Sequence, residues 1–380
     1  HSIVADLMPP VSPDRAPHLL AAGRVTEALL PLYTGLMKRL QDHPTSHAAH
    51  RLRDLETSVL GLQLPPSDPR HGWVLRGRAA LELARGDLAA ADIASDELIE
   101  GSRTFGWSKG ESRGLLMKCR AARRRLELGS AVALGVQALE RAQGDAEEAR
   151  VFRELAATER LRGRIKASSD YVREGRLKAE GTPAIEGWLW LEITRIALTV
   201  GRIKDAGRSL VKARGAFAKA GNRAGYCAVG EGYGWAALAE GDLKGAEQRL
   251  TTAQQAWLEA GQRRSALRCL QRRALVAAED GQHERALQQY RQVVAACGAV
   301  GDLQLEVVSR LGVAVSSLAM GDRKGPAHVQ IVLTDIQNHG LVDPDVARLM
   351  ALASAIDPSF RAGAVAMYRK LGRPVDADRL

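Results

Sequence analysis

The chain has 380 residues, a formal net charge of +10 and only 4% aromatic residues. Ala, Leu, Arg, Glu and Gln dominate it, all residues at home in helices, while Val and Ile are scattered with no alternating strand-and-turn pattern, so a β-sheet protein is excluded. No apolar run approaches the roughly 18 residues of a membrane span, and the opening HSIVADLMPPVSPDRAP lacks the basic and apolar regions of a secretory signal, so the expected setting is the cytoplasm.

Residues 1–12, starting at His-Ser without Met, are read as a leader or tag remnant. Ser12-Pro13-Asp14 predicts a helix start with Pro in the first position. N-terminal helices follow over 13–61: a short one at 13–22 ending at Gly23, one at 25–42, a break at His43-Pro44-Thr45-Ser46, and one at 46–61. The stretch LQLPPSDPRHG, 62–72, predicts a Pro-rich loop and a boundary. A regular solenoid is expected over 73–339, as hairpins near 73–104, 111–143, 145–180, 182–220, 222–260, 262–300 and 302–339. Residues 340–380 predict degenerate helices at 345–356 and 359–371, after Pro326 has already taken a place where Ala is expected. Neither end carries a polar capping repeat, so a piece of a longer protein is expected.

A fixed ruler organises this series. Gly181, Gly201, Gly221, Gly241, Gly261, Gly281, Gly301 and Gly321 stand at equal intervals of about 20 residues, a strict period that marks a repeat architecture. Gly340, Gly163 and Gly144 continue the series with a slip of one or two positions. The interval is the length of a five-turn helix, and Gly is favoured just past a helix end. Two helices therefore make one repeat of about 40 residues, within the range of known repeat periods. Alternate glycines give the phase: Gly86, Gly201, Gly241 and Gly281 are each followed, at one shared offset, by Ala91, Ala206, Ala246 and Ala286, with Gly23–Ala28 and Gly372–Ala377 at the ends. A small residue in the first turn of the second helix lets the two helices of a hairpin approach closely. Apolar residues at helical spacing follow, such as Leu250 with Ala253 and Tyr290 with Val293.

The Gly-x-x-x-x-Ala turn, the later Leu/Tyr and Ala, and Gly234 upstream of Gly241 resemble the tetratricopeptide repeat family. The repeat is longer than that family's norm of about 34 residues. The resemblance implies an all-α, right-handed superhelical solenoid of antiparallel hairpins. Extended repeats of this kind resemble the sensor and scaffold regions of bacterial signal-transduction ATPases and kinase fusions.

No catalytic motif stands out. The sequence has no GxxxxGK[ST] loop, no GxSxG and no paired carboxylates in an acid/base arrangement, so no enzyme and no cofactor are expected. GEGYG at 230–234 falls inside a predicted helix, where close helix packing explains it better than a phosphate loop. His43, His47 and His50 are split by Pro44 and lack a fourth ligand, so no metal is expected. Cys119, Cys227, Cys269 and Cys297 lie inside predicted helices without CxxC spacing, as small core residues.

The charge points to binding. Arginines cluster as Arg120, Arg123, Arg124 and Arg125, and as Arg263, Arg264, Arg268, Arg272 and Arg273. The tetratricopeptide resemblance implies that the first helix of each hairpin lines the concave face, with three inward positions, a helical turn or so apart, at fixed offsets before the turn glycine. Those positions hold Trp73 and Arg76, Arg123, Arg150 and Arg153, Trp188 and Arg195, Glu231 and Trp235, Arg268 and Gln271, then the apolar Val308, Leu311 and Val315. Trp and Arg are enriched in binding hot spots. The expected function is recognition of a protein or peptide segment, acidic or amphipathic, in that groove. The alternatives are a nucleic-acid-binding repeat using the arginines and a small-molecule sensor closing around Trp188, Trp190 and Trp235.

Overall fold

The computed structural model describes residues 1–42, 45–298 and 301–380. His43 and Pro44 of the expected break lie outside the described residues, as do residues 299 and 300. Among the described residues there is no strand, and 81% of the chain is helical. Two short helices, α1 (Ser2–Asp6) and α2 (Arg15–Ala21), precede the pairs α3 (Val25–Asp42) with α4 (Thr45–Gly61), α5 (Arg70–Arg85) with α6 (Leu88–Phe105), and α7 (Ser108–Arg124) with α8 (Leu128–Glu140). They continue as α9 (Asp145–Leu161) with α10 (Ile165–Lys178), α11 (Pro183–Thr199) with α12 (Ile203–Ala220), α13 (Arg223–Glu240) with α14 (Leu243–Glu259), and α15 (Arg263–Glu279) with α16 (His283–Gly298). The series closes with α17 (Leu303–Ala319) and α18 (Gly325–Asn338), α19 (Pro344–Ile356) and α20 (Arg361–Lys370), and α21 (Pro374–Asp378).

One local device repeats at the breaks. At Gly241 the backbone turns left-handed, φ 82°, and the Asp242 N–H reaches back to the Ala237 carbonyl at 3.0 Å. This is the Schellman closure that satisfies the last carbonyls of a helix. Asp242 then caps the next helix by accepting from the Gly245 N–H at 2.9 Å, and Asp87, Asn222 and Asp302 do the same for α6, α13 and α17. The break between α7 and α8 uses the same closure, with the Glu127 N–H on the Ala122 carbonyl at 2.9 Å, but its left-handed residue is Leu126, φ 58°. The glycine ruler thus runs upstream through Leu126 to Gly106 and Gly86.

Inside the hairpins, Ala206, Ala246 and Ala286 are fully buried, at the close approach their offset from the turn implies. Gly232 and Gly234 of GEGYG face Leu210 and Leu250, and a Cβ on Gly234 would meet Leu250 Cγ at 2.7 Å. Helix packing is therefore what these glycines serve. Two stretches in the amino-terminal part differ in detail from the sequence reading. Ser2–Asp6, within the stretch read as a leader, form α1, whose Ala5 is buried with Ala16 and Leu19. Helix α5 begins at Arg70, inside the stretch read as loop, because Asp68 accepts from the Arg70 N–H at 2.9 Å and from its guanidinium at 2.6 and 2.8 Å.

The superhelix is tied back on itself. Gln262 donates to the Leu40 carbonyl at 2.9 Å, far upstream in the sequence, and the Val342 N–H donates to the Leu161 carbonyl at 2.8 Å. Leu126, Leu128 and Leu161, at the breaks of the third and fourth pairs, belong to the same core as Val307, Leu311, Val315, Val346 and Leu349. The apolar end of the expected groove, Val308, Leu311 and Val315, is accordingly core.

The candidate ligand groove

First helices α5, α7, α9, α11, α13 and α15 touch in succession, and ion pairs join the charged side chains of α7 to α9, α9 to α11 and α13 to α15. Trp73 is half-buried and stacked on Tyr33 of α3, with centroids 5.0 Å apart. Arg76 donates to the Tyr33 hydroxyl, and burial lowers its pKa to about 10. Arg123 reaches Glu154 at 3.0 Å, and Arg120 and Arg153 hold the same carboxylate. Burial alone would raise the Glu154 pKa, yet these three cations hold it well below the usual range. Arg150 donates to the Ala146 carbonyl at 3.0 Å.

Further along, Glu192 is fully buried between Arg160 at 2.8 Å and Arg195 at 3.0 Å. Trp188 is half-buried, edge-on to Phe217 at 5.2 Å, with the Arg153 guanidinium 5.5 Å from its ring centre. Trp235 is only 6% exposed and packs in the core of α11–α15, with Arg272 4.0 Å over its ring. Glu231 accepts from Arg268 at 2.6 Å and from Arg272 at 2.9 Å, so that despite burial its pKa is held at about 2. Gln271 is buried and bridges to α17, donating to the Leu305 carbonyl and Ser309 Oγ at 2.9 and 2.8 Å.

The structure therefore brings Arg76 and Arg150 into one cavity, Arg123 and Arg153 onto one carboxylate, and Glu231, Trp235 and Arg268 into one cluster. Trp73 joins Arg76 only through Tyr33, and Gln271 stands apart from these. The trio Trp188, Trp190 and Trp235 does not converge. Trp190 is held between Arg176 of α10 and Lys212 of α12, at 4.0 and 4.4 Å, because a neighbour two positions on along a helix points to nearly the opposite side. A sensor site closed around these three rings is thus set aside.

Two residues of the inner face escape a reading based on glycines. The offsets used at the other turns, counted back from Leu126, give Arg113, Leu116 and Arg120, all three of which line the same cavity as Arg76 and Arg150. The missing glycine displaced the phase of α7 by most of a helical turn, to Arg123. The acids Glu154 and Glu192 lie one helical turn from Arg150 and Arg195, so that turn-spaced Arg/Glu pairing was the available signal.

Among the described residues no group of three or more His, Cys, Asp or Glu side chains is placed to hold a metal ion; His43 of the His43, His47 and His50 group lies outside them. Among the described residues no helix is long and apolar enough to cross a membrane.

No protein-family model matches the sequence, and no curated protein is significantly similar to it. Solved structures are similar in fold. A Rap protein complexed with Competence and Sporulation Factor superposes with a TM-score of 0.61 at 14% identity, over 94% of this chain and 95% of that one. The Rap conjugation gene regulator of the plasmid pLS20, in complex with the Phr* peptide, gives 0.57 at 12% identity, over 94% and 95%. The fold is a tetratricopeptide-like α-solenoid. At these identities the likeness establishes the arrangement of helices, with Gly turns, Schellman closures and buried hairpin alanines as its local basis in this sequence.

Proposed function

We propose that the chain is a non-catalytic regulatory module that holds a peptide or protein segment within its superhelix. The observation that carries this reading is the inner row of guanidinium groups and aromatic rings on successive first helices, held rigid by ion pairs before any ligand arrives. A rigid, prearranged surface of Arg and Trp lowers the ordering cost of binding. Two structures of similar fold are complexes, one with Competence and Sporulation Factor and the other with the Phr* peptide, which supports a peptide as the ligand here. Burial pushes the Cys119 and Cys297 thiols up to about 12, so neither supplies a thiolate nucleophile at neutral pH. The inner arginines are folded inside and largely paired with carboxylates, which favours a short segment over a nucleic-acid backbone lying along a solvated basic face.

The test is affinity selection from a random decapeptide library on the intact protein, followed by calorimetric titration of the selected peptides. Saturable binding in the micromolar range or tighter, weakened about tenfold by Trp188→Ala with the circular dichroism spectrum unchanged, is the expected result. A library that yields no retained peptide, or peptides indifferent to Trp188→Ala and Arg195→Ala alike, would reject the groove.

A further inference from the structure

The inner ion pairs are unevenly balanced along the superhelix. Toward the carboxyl end the charges close: Arg268 and Arg272 face Glu231 and Asp345, and Arg264 faces Asp302. Toward the amino end they do not. Arg76, Arg113, Arg120 and Arg150 line a single cavity of about 50 Å³ between α5, α7 and α9, and Arg123 and Arg153 join Arg120 at Glu154. Against these six guanidinium groups stand two carboxylates, Glu147 paired to Arg113 at 2.6 Å and Glu154 shared by three arginines. The excess is four positive charges. Among the described residues no carboxylate pairs with Arg76 or Arg150, whose hydrogen-bond acceptors are the Tyr33 hydroxyl and the Ala146 carbonyl. Arg76 Nε is buried and donates to nothing.

Guanidinium groups withdrawn from water without anions are costly, and their planar forks match oxyanions in two-point contact. A space of about 50 Å³ admits an oxyanion head with a water or two and excludes a large apolar side chain. We infer that the cavity between α5, α7 and α9 is an oxyanion subsite of the groove, filled by a carboxylate of the bound segment, which lays the acidic part of that segment toward the amino-terminal half. This rests on the groove reading above. The lowered pKa values of Arg76 and Arg150, each caused first by burial, with the neighbouring arginines acting in the same sense, agree with a site in want of an anion.

The experiment uses the whole chain at fixed ionic strength with three probes: tetraglutamate, tetraglutamine and inorganic phosphate, read by melting temperature and calorimetric titration. Tetraglutamate should raise the melting temperature saturably and tetraglutamine should not. Arg150→Gln should weaken tetraglutamate at least tenfold while raising the ligand-free melting temperature by a few degrees, since it relieves repulsion; a merely structural arginine would lower it. Arg150→Lys, which keeps the charge and loses the fork, should melt like the wild type and bind tetraglutamate several-fold more weakly. The inference is overturned if no probe gives a saturable shift, or if both Arg150 variants bind tetraglutamate as the wild type does. If phosphate saturates the site in an Arg150-dependent way while neither tetraglutamate nor any selected decapeptide binds, the peptide source and the groove reading both fall. If selected decapeptides bind with no loss in Arg150→Gln, the groove stands and the subsite falls.

Discussion

Leu126 carries two demands on one residue. Its backbone is left-handed, which costs a residue with a Cβ about 1–2 kcal/mol, while its side chain is 2% exposed in the core shared with α17 and α19. Burying a leucine is worth about 1.5–3 kcal/mol, so the packing outweighs the strain. Leu126→Gly should therefore destabilise the protein by about 1 kcal/mol, the loss of packing being partly offset by relief of the backbone. Leu126→Ala should cost more, about 2–3 kcal/mol, because it loses the packing and keeps the strain. Urea unfolding of the pair measures the order, and Ala falling below Gly is the signature. At Ala246, fully buried at the hairpin contact, Leu should overpack by about 1–3 kcal/mol; an unchanged melting temperature for Ala246→Leu would remove it from the contact. The same residues show what was legible. The turn glycines announced themselves because no other residue takes their backbone cheaply, whereas Leu126, chosen for its side chain, hid its turn and with it Arg113 and Arg120.

Among the helices, α19 carries a marked pH dependence at its start. Asp343 caps it, accepting from the Asp345 N–H at 2.8 Å, and burial, with the Asp345 charge beside it, pushes the Asp343 carboxyl up to about 6 from an ordinary 3.8. A carboxyl raised in the folded state contributes fully below its ordinary value of 3.8 and loses that contribution as pH rises from there through about 6. Asn keeps the cap without the charge. Asp343→Asn should thus be at least as stable as wild type at a pH of about 7.5 and lose that advantage at about pH 4, as paired urea titrations would show. Element identity was legible because hydrophobic spacing and turn glycines agree for most hairpins. The start of α5 was not, because a bidentate contact between Asp68 and Arg70 decides it, and its neighbours Pro65, Pro66 and Pro69 spell a loop.

In the molecule as a whole, the inner ion pairs and the ties across the superhelix act together. Glu231 is pushed up by burial and brought down further by Arg268 and Arg272, to about 2 from 4.5; Glu154 and Glu192 are lowered in the same sense, by their own arginines. Carboxyls lowered in the folded state contribute fully above their ordinary value of 4.5, and the contribution is lost as pH falls from there toward about 2. Acid unfolding in that window should accordingly be steep, and Glu231→Gln, which strands the Arg268 guanidinium and leaves Arg272 only Asp345, should cost about 3–5 kcal/mol at neutral pH. The positions of these acids were in the sequence, as was Arg195 one turn from Glu192; Arg120, Arg123, Arg160, Arg268 and Arg272 were not legible as partners, since they come from neighbouring repeats whose relative rotation no local pattern states. The tie between Gln262 and Leu40 has a further, mechanical consequence. An open solenoid stretches like a coil spring, each repeat yielding a little. This one is clasped, so extension must first break the clasp. We predict that a segment enters the interior when the clasp opens, so its observed association rate should level off at the opening frequency as peptide concentration rises, a plateau that stopped-flow tryptophan fluorescence would record; a rate that climbs linearly with concentration would reject it.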